Sequence, residues 1–256
     1  MISKNQIKFI KQLEMKKYRQ REGLFVAEGP KVVGDLLAAG FNPVMLFATD
    51  EWKPATALHT SCVNVTPDEL RKLSFLQHPQ QVLAVFPIAA PLNSPRGGMN
   101  DTSLGGLRGA ADGLVLALDG VQDPGNLGTI IRIADWFGID TIVCSHDTAD
   151  CWSPKVVQAT MGSIARVNIC YTDLRDFLAN SPLPICGTLL DGVDIYQQQL
   201  PSQAIIVMGN EGNGISPDIR QMVTHKLLIP QFRPGAESLN VAIATAIVCS
   251  EFRRPR

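Results

Sequence analysis

The sequence predicts an α/β protein in two parts, and three observations lead there. Beyond residue 113, short apolar runs alternate with helical patterns, the mark of a mostly parallel sheet covered on both faces. Before residue 90 the same alternation recurs on a smaller scale. Between them, "PLNSPRGGMNDTSLGGLRGAADG" is dense in Gly, Pro, Ser and Asn and has no apolar periodicity, so it reads as a linker. The expected division is 1–90, a linker over 91–112, and 113–256.

The first part opens with a basic amphipathic helix carrying Ile7, Ile10 and Leu13 on one face. A short strand follows in "GLFVAEG", then a helix over "KVVGDLLAA" that Gly40 closes where a left-handed cap is expected. Strands are expected at "PVMLFA" and "QVLAVF". Between them, "TPDELRKL" has Thr66 as N-cap, Pro67 at the first helical position and Glu69 completing a capping box.

In the second part, strands are expected at "LVLALDG", "TIVCS", "RVNIC", "PICGTLL", "AIIVMG" and "KLLIP". Helices fall between them near "GTIIRIADWF", "SPKVVQATMG", "DLRDFLAN" and "SPDIRQMV". Ligands of such sheets sit at the carboxyl ends of strands. Three polar, Gly-containing segments fall there.

In "DGVQDPGNLGTIIRIADWFG" a strand ends at Asp119, Asp123, Pro124 and Gly125 write a turn, and a helix begins near Asn126 or Leu127. Arg132 is set among Ile130, Ile131, Ile133 and Ala134, so it either emerges at a crevice that holds an anion or snorkels to solvent. In "AIIVMGNEGNGIS" an apolar strand runs into three glycines around Glu211. Its G-x-x-G-x-G spacing reverses the dinucleotide fingerprint, and no Lys-Ser or Lys-Thr follows as a phosphate loop requires. Glu211 is an acid, a base, an orienter or a helix cap. In "LLIPQFRPGAESLNVAIATAIVCSEF", Glu237 or Ser238 caps a helix apolar on nearly every side, while Asn240 is a poor helix former without a partner for its amide.

Composition excludes several classes. With 45% hydrophobic and 18% charged residues in 256, the chain buries a real core. Six cysteines form no C-x-x-C pair and several lie in apolar runs, which implies buried, reduced thiols and a cytoplasmic location. Four scattered histidines offer no zinc spacing, so no metal is expected. No segment is long and apolar enough for a membrane. The net charge is −1, yet residues 1–31 hold eight Lys or Arg against three Glu. That stripe is either a solvated helix face or a surface for an anionic partner.

Together, "NLGTIIR", "MGNEGNGIS" and "IPQFRPGAESLNVAIATAI" resemble the three motifs of the SpoU (TrmH-type) RNA ribose 2'-O-methyltransferases. "QATMGSIARV" resembles a less stringent family segment, and residues 3–87 resemble the small L30e-like substrate-binding domain that precedes the catalytic domain in many members. The resemblance implies a deep trefoil knot in the second part, a homodimer joined through it, and S-adenosylmethionine as cofactor. It implies an RNA substrate, rRNA ahead of tRNA. The alternatives are a non-catalytic RNA-binding module and a methyltransferase or nucleotide enzyme of doubly wound topology that takes "DGVQDPGNLG" as its glycine loop, with Asp147 as the ribose contact. Carried over by position, it makes Asn126, Arg132, Glu211, Ser238 and Asn240 the active-site group. Thr188, Leu189, Gly209, Asn210, Gly214, Ile229 and Leu239 become the cofactor contacts. Lys4, Lys8, Lys11, Lys16, Lys17, Arg19 and Arg21 become the RNA-facing cations. Gln231 departs from the Met that many members carry after "IP".

Overall fold

The computed structural model describes residues 2–55, 60–88, 113–233, 235 and 238–255. The expected linker and Glu237 lie outside them. The chain divides into two compact units, Met1–Gly98 with Asp150–Arg166, and Met99–Ala149 with Val167–Arg256.

In the first unit the basic N-terminus forms two helices, α1 (Lys4–Gln12) and α2 (Lys16–Glu22), where the sequence suggested one. Ser3 caps α1 through a capping box with Gln6, and α2 ends on Gly23 in the left-handed conformation. Strand β1 (Leu24–Glu28) leads to α3 (Pro30–Ala38), followed by Gly40 at φ 87°. Then come β2 (Met45–Ala48), β3 (Cys62–Asn64), α4 (Pro67–Leu73) and β4 (Val82–Pro87). Thr66 and Glu69 make the expected capping box on α4. The sheet runs β1-β4-β2-β3, with only β2 and β3 parallel. Ile10, Leu13, Val26, Phe47, Leu70, Leu73, Leu83 and Val85 pack as its core. β3 escaped the sequence reading because it is three residues of mixed polarity at a sheet edge, with Cys62 exposed rather than buried.

Arg19 is 2% exposed, far from the surface role expected of it. Its guanidinium donates to the Leu13 and Glu14 carbonyls (2.7 and 2.6 Å) and pairs with Asp150 at 2.6 Å. Lys11 is half-buried and donates to the Ser74 carbonyl, its ammonium 4.9 Å from the centre of the Phe75 ring.

The second unit is a six-stranded sheet in the order β10-β8-β9-β5-β6-β7, parallel at every pairing. Its strands are β5 (Leu114–Asp119), β6 (Thr141–Cys144), β7 (Asn168–Tyr171), β8 (Ile185–Asp194), β9 (Ala204–Gly209) and β10 (His225–Leu228). The helices are α5 (Pro124–Trp136), α7 (Leu174–Ala179), α8 (Pro217–Arg220) and α9 (Val241–Arg253); α6 (Pro154–Ala159) belongs to the first unit. Side chains alternate across each strand. Val115, Ala117, Ile205 and Val207 therefore pack with Leu174, Leu178 and Ile219 of α7 and α8. The opposite face carries α5 and α9, packed on each other. Among the described residues no helix is long and apolar enough to cross a membrane.

Candidate functional site

The carboxyl ends of β5 and β9 are neighbours, Asp119 pairing with Gly209, and β5 is the strand from which the sheet order runs both ways. That is the crevice where open parallel sheets hold ligands. After β9 the chain makes a tight loop in which Asn210 and Gly214 exchange two backbone hydrogen bonds of 2.9 Å. Asn210 Oδ1 accepts from the Gly212 and Asn213 N–H groups, and its amide donates to the Gly120 carbonyl. Asp119 accepts from Ser216 N at 2.7 Å. Both ends of the loop are thus tied to the end of β5.

Gly209 is required by close approach: a Cβ there would lie 2.2 Å from the Gly214 carbonyl carbon and the Ile215 nitrogen. Gly209→Ala is expected to cost about 3 kcal/mol, because backbone rather than a flexible side chain must move. Thermal unfolding of the variant checks this.

Helix α5 begins at Pro124, two or three residues earlier than expected, because Asp123 is its N-cap and accepts from Asn126 N at 2.8 Å. An Asp-Pro pair is itself a helix-start signal, and the turn reading passed over it. Glu211 reaches across and accepts from the Gln122 and Asp123 N–H groups at 3.1 and 3.0 Å, from Asn126 Nδ2 at 3.0 Å and from Asn210 Nδ2 at 3.4 Å. A carboxylate only accepts, so Asn126 must turn its nitrogen to Glu211 and its oxygen away. That oxygen accepts from Asn240 Nδ2 at 2.9 Å. Asn240 Oδ1 in turn accepts from the Ala242 and Ile243 N–H groups, making Asn240 the N-cap of α9 in place of Glu237 or Ser238. Here is the partner its amide lacked in the sequence. Each constraint sets the next, and Asn126 Nδ2 and Asn240 Nδ2 each keep one hydrogen to donate.

Partial burial acts to raise the Glu211 pKa, but the hydrogen bonds from Asn126, Gln122 and Asp123 outweigh it and hold the carboxyl below its ordinary range. The same contacts weigh against "DGVQDPGNLG" as the phosphate-binding turn of a doubly wound nucleotide enzyme. The backbone donors that a phosphate would need at 122–123 are already taken by a carboxylate. Asp147, at the end of β6, instead accepts from Ser145 Oγ at 2.5 Å.

Beside this row lies an open cleft of about 480 Å³, lined by Thr188, Leu189, Met208, the 209–215 loop, Leu227, Ile229, Ser238 and Leu239. Thr188, Leu189, Gly209, Asn210, Gly214, Ile229 and Leu239 all line it, and Glu211 stands on its rim. Its cation Arg220 is held by Asp191 at 2.7 Å. Arg132 is the exception among the expected group. It lies about two turns into α5, exposed, with no hydrogen bond or ion pair among the described residues. No cluster that could hold a metal ion occurs among the described residues.

A family model for the SpoU rRNA methylase family matches residues 113–250, more than half of the chain. The chain belongs to that family. Residues 4–84 match a second model, the MRM3-like substrate binding domain. SpoU relatives cover the chain nearly end to end. It is 31% identical to the 23S rRNA guanosine 2'-O-methyltransferase RlmP of Bacillus subtilis, over 98% of this chain and 97% of RlmP. A solved TrmH-family RNA methyltransferase structure from Porphyromonas gingivalis is 42% identical, with a TM-score of 0.83 over 99% of this chain and 98% of that one. An rRNA methyltransferase from Sinorhizobium meliloti, solved with AdoMet bound, is 28% identical, with a TM-score of 0.80 over 99% of this chain and 95% of that one.

Proposed function

We propose that this chain transfers a methyl group from S-adenosylmethionine to a ribose 2'-hydroxyl of large-subunit ribosomal RNA. The observation that carries the reading is the row Glu211, Asn126, Asn240, which joins three distant segments at the rim of the cleft. The cleft suits the cofactor. Leu189, Met208, Ile215, Leu227 and Leu239 offer apolar walls to a flat base, and the one cation, among the described residues, is already neutralised, which matches a ligand without phosphate. When bound, S-adenosylmethionine supplies a methyl group on a positively charged sulfur that departs as a neutral thioether.

The residues do the rest by position. Glu211 pins the 122–123 turn and the Asn126 amide. The spare hydrogens of Asn126 and Asn240, with Ser238, orient the attacking oxygen. Arg132, whose guanidinium stays charged and so is no base, anchors an RNA phosphate and stabilises the alkoxide developing at the 2'-oxygen as the hydroxyl proton passes to solvent water. We read residues 1–90 as an L30e-like RNA-binding domain and 113–256 as a knotted catalytic domain that dimerises in the cytoplasm. Trp136, Leu239 and Ile243, 86%, 51% and 53% exposed on α5 and around the start of α9, support an apolar interface there. Lys4, Lys8, Lys16, Lys17 and Arg21 are exposed and form the cationic face.

The test is methyl transfer from labelled S-adenosylmethionine to total RNA from cells lacking this protein, followed by fractionation and nucleoside analysis. Label in a 2'-O-methylnucleoside of large-subunit rRNA is expected; label in a methylated base would refute the chemistry. Glu211→Gln is expected to lower kcat about 10- to 100-fold, because the new amide turns N–H groups toward N–H donors. A carboxyl whose folded pKa is lowered stabilises fully above its unfolded value and loses that contribution as pH falls through the folded value. Titration of Glu211 is therefore confined to acid, and a pH–rate profile from 6 to 9 should show no step from it.

A further inference from the structure

The first unit carries a second cleft, of about 410 Å³, that the methyl-transfer site does not use. It lies where β2 ends, α4 begins and the chain turns into β4, lined by Pro30, Thr49, Glu51, Pro67, Arg71 and the Pro79–Gln81 turn. We propose that it receives an unpaired nucleobase of the RNA substrate. The inference rests on the reading of the chain as an RNA methyltransferase.

Three observations support it. Thr49 Oγ1 is buried and has no hydrogen-bond partner among the described residues. A buried hydroxyl without a partner is destabilising, and such an atom in a cleft wall is explained by a ligand that completes it. Secondly, Gln81 sits at φ 47°, in a conformation that L-residues rarely adopt. Its carbonyl accepts from Thr49 N at 2.8 Å, so the strained residue and the orphan hydroxyl are parts of one construction. Thirdly, the chemistry of the walls fits a base. Pro30, Pro67 and Pro79 give flat apolar surface, and Gln80 and Gln81 can pair with a base edge, while the Thr49 hydroxyl, closed to solvent in the unliganded cleft, pairs only with a base edge that pushes its covering atoms aside. RNA is read by splaying unstacked bases into such places. Glu51 and the Arg71–Asp68 pair leave no net cationic charge at the cleft, which suits a neutral base better than a phosphate.

The test is photo-crosslinking of the full chain to 4-thiouridine-bearing ribosomal RNA from cells lacking the protein, with the crosslinked peptides mapped. Nucleotide on the peptides holding Thr49–Glu51 or His78–Gln81 is expected. Crosslinks confined to other peptides, or none at all, would overturn the proposal. Thr49→Val separates binding from folding, since it removes an atom that makes no folded-state bond. Its thermal midpoint should hold or rise while RNA affinity falls roughly tenfold, and Gln80→Ala, at an exposed position, should weaken RNA without unfolding. A Thr49→Val protein of lower midpoint and unchanged RNA affinity would show a merely structural hydroxyl and sink the idea. Methyl transfer measured in parallel distinguishes the two readings. Transfer without crosslinks here defeats the cleft alone, and crosslinks here without transfer defeat the methylation reading alone.

Discussion

Arg132→Ala is expected to lose about a thousandfold in kcat, the scale seen when one stabiliser of a developing oxyanion is removed, with no loss of thermal stability. The second half of that expectation comes from the structure. Arg132 is exposed and has no partner among the described residues, so the folded chain does not depend on it. A guanidinium presented from a helix and left uncommitted is free to meet a ligand that arrives later. Arg132→Lys sharpens the point. Lysine keeps the charge but loses the planar fork that grips a phosphate, so RNA affinity should recover further than kcat. If Arg132→Lys turned over at a near-normal rate with unchanged pH dependence, a specific guanidinium role would be wrong.

The fold was legible wherever local chemistry and burial agree. Thr66, Pro67 and Glu69 encode a helix start within four residues, and the structure makes every one of those contacts. The same holds for β5 and β9 in the middle of the second sheet, six apolar-rich residues each and buried along their whole length because both faces are covered. Legibility failed where structure depends on a distant partner. β3 is too short and polar to announce itself, and it exists because β2 offers it an edge. The division at Asp150–Arg166, a segment that groups with the first unit, leaves no local mark in the sequence.

For the site, motif order told which segments matter but not how they connect. Asn240 is the clearest case. In the sequence it is an awkward helix residue; in the structure its oxygen caps α9 and its nitrogen reaches Asn126, 114 positions away. Likewise Glu211 leaves its cap reading open in the sequence, yet the backbone it serves precedes α5 rather than α8. Long-range hydrogen bonds of this kind follow from strand order, which no local spacing encodes.

Arg19 carries the argument to its other large consequence. By charge it belongs with Lys4, Lys8, Lys16, Lys17 and Arg21, but those five are exposed whereas Arg19 is buried against Asp150 and two carbonyls beyond the end of α1. Arg19→Ala would strand Asp150, 15% exposed at its side chain, without its counter-ion, and is expected to cost about 3–5 kcal/mol of unfolding free energy. Asp150→Ala should also destabilise, and the double variant should cost less than the two single losses added, because the second change removes a charge already left alone. Alanine at Lys4, Lys8, Lys16 or Lys17 should instead leave the melting temperature unchanged. Each that meets a phosphate should reduce the salt slope of RNA binding by about 0.7. A calorimetric scan and a salt titration therefore sort the cations into two kinds. An Arg19→Ala protein that melted like its parent and weakened RNA binding as the lysines do would return Arg19 to the RNA-facing group.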